Sequence, residues 1–273
     1  ISDADFNFVS DLLLKRIGFR LEKDKGYLVE SRFSKLAEKA GLKGAHEFIA
    51  QLRANCPESL IAEAVEAMTT NETYFFRDNV PFQTLRDKAL AAILPRRAAS
   101  KSLNIWSAAC STGQEPYSIA ITLKEGLPQL ADWSMQIFAT DVNNEVLAKA
   151  REGAYNHSEI SRGIGPELLQ RYFTKTGQEW KIHKDMARNI RFQQLNLCQA
   201  WPAFPKMDVI FLRNVLIYMS DEAKKSILAR VHGLLRPDGF LFLGAAESTF
   251  NLADYFVRTD WERSGCFRPR GPA

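Results

Sequence analysis

The chain has 273 residues, enough for one large domain and a small one. Hydrophobic residues make up 46% and charged residues 25%, and no apolar run approaches the ~20 residues a bilayer span requires, so no membrane-spanning helix is expected. A net charge of +4 is too mild to point to nucleic acid, and the scattered cysteines and histidines indicate neither a metal site nor a disulfide framework. Reduced thiols, a cytoplasmic location and no metal are therefore the expectations. No secretory signal is visible, and a chain that begins at Ile1 is expected to be trimmed.

The first part, to about Asn79, reads as all-helical. Ser2 or Asp3 can cap a helix whose apolar residues Phe6, Val9, Leu12, Leu13 and Ile17 recur at helical spacing. A second helix is expected over Tyr27–Ala40, with Leu28, Phe33 and Leu36 inward and Arg32, Lys35 and Lys39 on another face, and Gly41 stops it. Two more are expected over Ala45–Asn55 and Pro57–Met68. Basic residues outnumber acidic ones between Lys15 and Arg53, which in an unspecified protein is most simply a solvated surface. The segment Thr69–Asp78 then runs from polar turn residues into Tyr74, Phe75, Phe76 and Arg77 with no helical or strand period. It suits either a core-filling linker or a pocket wall in which aromatics exclude water around a guanidinium. A helix is expected over Pro81–Leu94, and Pro95–Lys101 reads as an exposed loop, so the second domain is set at 80–273 with residues 80–101 as its lead-in.

From Asn104 strands and helices alternate, the signature of a mostly parallel sheet covered on both faces. Strands are expected near 103–107, 135–140, 189–195, 208–213 and 239–244, and helices near 116–125, 143–151 and 221–235. The alternation breaks after Gly153. A short helix at Gly165–Phe173 and a hairpin within Thr174–Met186 indicate a small antiparallel insert at about 155–190. Tyr255–Pro269 reads as an edge strand pair with Phe256, Val257, Cys266 and Phe267 inward.

The chemistry concentrates at strand ends. Leu103–Trp106 is a buried strand, Ser107–Gly113 a loop of small side chains, and Pro116 suits the first turn of the helix that follows. Such a junction is a ligand site in open α/β sheets. Neither a Gly-Lys-Ser/Thr nor a three-glycine pattern is present, and Glu115 at the loop's mouth opposes phosphate. Asp141 ends the second strand, placed for ribose hydroxyls, or alternatively caps the helix beginning near Asn143. A ribose, no phosphate and a positive charge together describe S-adenosylmethionine (AdoMet). Arg213 and Asn214 lie at the carboxyl end of the fourth strand, with Tyr218 shortly after, and Asn196 and Leu197 at the end of the third, within reach of adenine. A carboxylate acceptor would need no general base, only a cation such as Arg77 to hold it.

Thr70–Arg77, Trp106–Ser118, Ala139–Asp141 and Phe211–Tyr218 together, in this order, strongly resemble the bacterial chemoreceptor glutamate methyltransferases, the CheR family, and the resemblance spans nearly the whole chain. It implies an N-terminal helical domain, a Rossmann-like AdoMet domain and an inserted antiparallel β-subdomain. It implies an enzyme that esterifies receptor glutamates during sensory adaptation. It places Asn71, Thr73, Arg77, Glu115, Asp141, Asn196, Leu197, Arg213 and Asn214 at the cofactor, with Glu115 toward the methionyl end and Asp141 on the ribose, and Arg77 and Tyr218 at the acceptor carboxylate. Arg32, Lys35 and Lys39 correspond to the face such enzymes lay on the acidic receptor helices, which Glu38 interrupts. Gly244–Ser248 departs from a Gly-His-Ser-Glu pattern of some relatives. Some relatives dock a receptor's terminal peptide on the β-subdomain. Here the loop at Gly177 is short and Trp180 stands beside it, so no tethering peptide is expected to be required. The alternatives are an AdoMet methyltransferase with another protein or a small carboxylic acid as substrate, and a non-catalytic AdoMet- or nucleotide-sensing protein.

Overall fold

The computed structural model describes residues 1–54, 56–247 and 252–271. Its residues group into two compact units: one is 1–70 with 196–200 and 218–226, the other 71–195 with 201–217 and 227–273.

The first unit carries helices α1 (Asp3–Ile17), α2 (Gly26–Lys39), α3 (Ala45–Arg53) and α4 (Glu58–Met68). Ser2 caps α1 by accepting from the Asp5 N–H at 3.1 Å. The helical apolar spacing closes a core of Val9, Leu13, Val29, Phe33, Phe48, Ile49 and Met68, with Phe33 edge-on to Phe48 at 5.3 Å. Gly18 ends α1 in the left-handed region at φ +66°, and a Cβ there would stand 2.7 Å from both Ala223 Cβ and Cys198 Sγ, so glycine is required on two counts. The basic face of α2 is not uniform. Lys35 and Lys39 are exposed, whereas Arg32 is half-buried and its Nη1 donates to the Ala67 and Thr69 carbonyls at 3.2 and 3.0 Å. Arg32 thus satisfies carbonyls left open at the end of α4, and burial pulls its pKa down from the usual value.

The second unit runs through α5 (Val80–Thr84), a π-helical turn (Leu85–Ala89) and α6 (Leu90–Arg97), then β1 (Ser102–Ala108), α7 (Gln114–Gly126), β2 (Ser134–Asp141), α8 (Asn144–Glu152), β3 (Ala154–Asn156), α9 (His157–Ser161), α10 (Pro166–Tyr172), β4 (Phe173–Thr176), β5 (Glu179–Ile182), α11 (Lys184–Ala187), β6 (Ile190–Gln194), β7 (Met207–Leu212), α12 (Asp221–Leu234, its first residues in the other unit), β8 (Leu235–Leu243), β9 (Phe256–Arg258) and β10 (Cys266–Pro269). The main sheet has the order β6-β2-β1-β7-β8-β10-β9, parallel from β6 to β8 and antiparallel at β10 and β9. The chain leaves β1 toward β2 and later returns to its other side as β7. That puts the topological switch, and with it the ligand crevice, at the carboxyl ends of β1 and β7. The core is apolar and aromatic: Val209, Ile210, Phe211 and Leu212 are fully buried, Phe211 stacks on Phe242 at 4.6 Å, and Trp106 Nε1 is satisfied by Thr140 Oγ1 at 2.9 Å. A second sheet, β3-β5-β4, is antiparallel and lies between α8 and β6 in the chain. This is a Rossmann-like sheet, with an all-α first part and an antiparallel insert.

Three local expectations change. The helix does not stop at Pro95 but runs through it to Arg97, whose guanidinium is drawn in by Asp208 and Asp238 at 2.7 and 2.6 Å. The insert has a third strand, β3, ahead of the expected hairpin, and Trp180 lies in the central strand of the three rather than on an edge. Val257 points outward and is 49% exposed, while Phe256, Cys266 and Phe267 are buried.

Arg32→Ala should lower the stability of the protein by about 1 kcal/mol, the worth of charge-assisted hydrogen bonds reduced for partial exposure. Lys35→Ala and Lys39→Ala should leave it within about 0.5 kcal/mol, as surface changes do. Denaturant midpoints of the three variants check this.

Candidate functional site

Three segments of the second unit meet at the carboxyl ends of β1 and β7. The first is the loop 107–113. Its small residues allow an unusual backbone course, with Ala109, Ser111 and Gly113 at φ +57°, +51° and +95°. The second is the segment 71–79, tied to that loop where Ser111 Oγ donates to the Asn71 carbonyl at 2.8 Å. The third is the turn after β7, where Asn214 sits at φ +58°.

Arg213 joins them. Its side chain is 1% exposed. Nη1 donates to Glu115 Oε2 at 3.1 Å, and Nη2 to Asp78 Oδ2 at 2.7 Å and to the Arg77 carbonyl at 2.9 Å. Glu115 is held from its other side by the hydroxyl of Ser107, buried in β1, at 2.7 Å. The Nε of Arg213 is buried without a protein partner among the described residues. Burial pushes the Glu115 carboxyl above its usual pKa, partly offset by Arg213 and Ser107 and reinforced by Glu247. One arginine against Glu115 and Asp78 leaves this cluster with one negative charge in excess. A ligand that brings a positive charge there neutralises the excess. Glu115 was expected at the mouth of the loop. It is instead drawn inward to Arg213, and the repulsion of phosphate rests on the cluster rather than on a lone acid.

Asp141 is buried at the end of β2. Its carboxylate accepts from the Ser111 N–H at 2.8 Å and the Asn143 N–H at 3.0 Å. The helix α8 is capped by Asn143, which accepts from the Glu145 and Val146 N–H groups.

The aromatic run 74–76 divides. Phe75 is fully buried, edge-on to Tyr155 and Phe173 at 5.0 and 5.5 Å, and Gly163 packs so closely that a Cβ there would fall 1.8 Å from the Phe75 carbonyl oxygen. The Phe76 N–H donates to Ser118 Oγ at 2.9 Å. Of the three rings, Tyr74 is the one beside Arg77, whose guanidinium lies 5.7 Å from the ring centre and donates to the Glu72 carbonyl at 2.9 Å. Among the described residues Arg77 has no carboxylate partner, in contrast to Arg213. Asn71 and Thr73 are half-buried on the same segment.

The remaining candidates belong to the first unit. Asn196 donates to the Arg16 carbonyl at 2.7 Å and accepts from the Cys198 N–H at 2.9 Å, so both ends of its amide are engaged within that unit. Leu197 is buried. Tyr218 stacks on Phe19 with centroids 5.8 Å apart, its carbonyl accepts from the Arg20 N–H at 2.8 Å, and its hydroxyl has no hydrogen-bond partner among the described residues. The structure therefore brings together Asn71, Arg77, Glu115, Asp141, Arg213 and Asn214, and describes Asn196, Leu197 and Tyr218 as parts of another unit.

Three residues were not singled out as site residues: Ser107, Asp78 and Glu247. Each answers a buried donor or acceptor in the cluster. The available signal was an arginine directly after the buried apolar run Val209–Leu212, which cannot be buried without acids to meet it. No set of three His, Cys, Asp or Glu side chains placed to hold a metal ion occurs among the described residues, and none of their helices is long and apolar enough to cross a membrane.

Residues 71–263 match the family model described as CheR methyltransferase, SAM binding domain, and residues 4–69 match CheR methyltransferase, all-alpha domain. The chain is 41% identical over 260 residues to Chemotaxis protein methyltransferase 1 of Pseudomonas aeruginosa, covering 93% of this chain and 94% of that one. It is 39% identical over 261 residues to Chemotaxis protein methyltransferase 1 of Vibrio cholerae, covering 94% and 93%. It is 36% identical over 262 residues to Chemotaxis protein methyltransferase of Escherichia coli, covering 94% and 88%.

If Glu115 receives the positive end of the ligand, binding requires its ionised form. Because its folded pKa is raised, the stability this group contributes to the unliganded protein is fully present below its ordinary value of 4.5 and is lost as pH rises through the raised value. Ligand affinity should move the opposite way and climb over that window. Calorimetry with S-adenosylhomocysteine from pH 4 upward should show the climb, and Glu115→Gln should bind more weakly with a flatter profile.

Proposed function

The chain belongs to the CheR methyltransferase family and uses AdoMet, and from that premise we propose that it forms γ-methyl esters on glutamate side chains of chemoreceptors. It is an AdoMet-dependent methyltransferase of chemotaxis; the acceptor is the inferred step. When bound, AdoMet supplies an electrophilic methyl group on a sulfonium centre. Glu115, Asp78 and Arg213 suit the methionyl end, with the excess negative charge of the cluster meeting its ammonium, and Asp141 suits the ribose. Asn71, Thr73, Asn196, Leu197 and Asn214 complete the proposed cofactor set.

The observation that carries a carboxylate acceptor is the contrast between the two site arginines. Arg213 is paired with two carboxylates, whereas Arg77 is half-exposed and engages only a carbonyl and the Tyr74 ring. A planar guanidinium of this kind holds one oxygen of an incoming carboxylate and leaves the other to attack. Glutamate is ionised at neutral pH and needs no general base, so positioning supplies most of the rate. Tyr218, with its hydroxyl uncommitted, is proposed to assist near the methyl group.

Arg77→Ala should lower turnover by about 100-fold or more, as loss of a transition-state contact to a charged group does, with a small change in thermal midpoint. Arg77→Lys should rescue little, for want of the fork. Labelled methyl should pass to receptor-containing membranes as base-labile, volatile counts, since esters hydrolyse and N-methyl groups do not. Base-stable label would move the acceptor to an amine, transfer only to small acids would favour the small-substrate alternative, and binding with no transfer would make the protein a sensor.

For receptor engagement we propose the exposed Lys35 and Lys39 on α2, with Arg32 largely committed to the end of α4, acting on the acidic cytoplasmic helices of receptors. The reading without a tethering peptide rests on the two-residue turn Gly177–Gln178 between β4 and β5. The obstruction expected of Trp180 is not part of that support, since it lies in the central strand. Removing the last residues of a receptor should leave methylation within about twofold, and raising salt should slow it as exposed charges are screened. A large loss on trimming, insensitive to charge reversal at Lys35 and Lys39, would overturn this.

A further inference from the structure

Glu247 lies just beyond β8, in the segment Gly244-Ala245-Ala246-Glu247, and is 7% exposed. Its carboxylate is surrounded by backbone donors. Oε1 accepts from the Val215 and Leu216 N–H groups at 2.9 and 2.8 Å, and Oε2 from those of Asn214 and Gly244 at 2.9 and 2.6 Å. Four donors on two oxygens use up the carboxylate's acceptor capacity, so Glu247 has nothing left with which to touch a ligand. What it holds is the turn after β7. Asn214 is in the left-handed region there, and its side-chain amide is half-exposed with no hydrogen bond among the described residues. Gly244 backs directly onto that amide: a Cβ at position 244 would stand 2.7 Å from Asn214 Nδ2, 3.0 Å from its Cγ and 2.9 Å from Glu247 Oε2.

We infer that Glu247 and Gly244 are positioning residues for the cofactor site, Glu247 fixing the backbone of Asn214 and Gly244 leaving the space its amide occupies. The inference rests on the placement of Asn214 at the cofactor and is independent of the acceptor. Glutamine at 247 keeps the shape but offers one oxygen, and turns an NH2 toward two N–H donors. Alanine at 244 leaves all four backbone donors in place and crowds the Asn214 amide most closely, with Glu247 Oε2 next.

Calorimetry with S-adenosylhomocysteine on the whole chain tests this in wild type, N214A, E247Q, G244A and the double variants N214A/E247Q and N214A/G244A. E247Q and G244A should each weaken binding about tenfold, the scale of one lost charge-assisted hydrogen bond. In the N214A background each should cost less than about twofold more, because the group being positioned is already gone. Full additivity would show a merely structural lock and overturn the inference, as would wild-type affinity in G244A, which stands even if E247Q folds poorly. If N214A itself binds normally, the placement of Asn214 fails and this inference with it. If N214A is weakened while E247Q and G244A are not, only this inference fails.

Discussion

A guanidinium with 1% of its side chain exposed has surrendered nearly all its hydration, and Arg213 recovers it from two separate stretches of chain. Glu115 comes from the start of α7, while Asp78 and the Arg77 carbonyl come from the segment ahead of α5. Removing Glu115, the partner buried with it, costs roughly 3–5 kcal/mol, because the arginine's charge is stranded. The cluster is therefore a fastening as much as a ligand site. It fixes where the aromatic segment lies against the sheet, and so where Arg77 stands. The same burial raises the Glu115 carboxyl, so the charge that suits a cationic ligand is held at the cost of desolvation.

Backbone strain collects at the same place and is held by named side chains. Phe76, Asp78, Ala109, Ser111 and Asn214 all have φ between +51° and +66°, which costs non-glycine residues roughly 1–3 kcal/mol each. The N–H of Phe76 is taken by Ser118, the side chain of Asp78 by Arg213, the N–H of Ser111 by Asp141 and that of Asn214 by Glu247. With Asn79 at φ +50°, four of the six strained residues thus have a polar clamp, and three of the clamps are buried acids or a buried cation. Such an arrangement keeps loops of small residues from collapsing into the space a ligand needs.

The parallel sheet, the places of its strands along the chain and the hairpin of the insert were legible because apolar strands and amphipathic helices differ in period, and that difference survives in any context. The helix through Pro95 was not, because the ion pairs of Arg97 with Asp208 and Asp238 are 111 and 141 residues distant in sequence. At the site, the strand-end residues Asp141, Arg213 and Asn214 could be read from position alone. Asp78 and Glu247 could not, since an acid beside a turn looks like a solvated residue until the buried donor it answers is known. Arg32 shows the converse: its spacing with Lys35 and Lys39 indicates a shared face, but the carbonyls of Ala67 and Thr69 that engage it come from another helix.

Asp141 shows why the structural and ligand readings of a strand-end acid need not compete. Its oxygens hold the Ser111 and Asn143 N–H groups, the first in a strained loop and the second at the cap of α8. An acid free of such duties would be mobile, and burying it would demand an unrelated counter-ion. Two backbone N–H groups thus meet a carboxylate buried at the end of β2. Arg213 already serves Glu115 and Asp78, so positive charge is kept at β7 and acceptor capacity at β2, on opposite sides of β1 in the sheet order. That separation matches a ligand with a charged end and a neutral, hydroxyl-bearing middle, and it follows from which strand ends the two residues occupy.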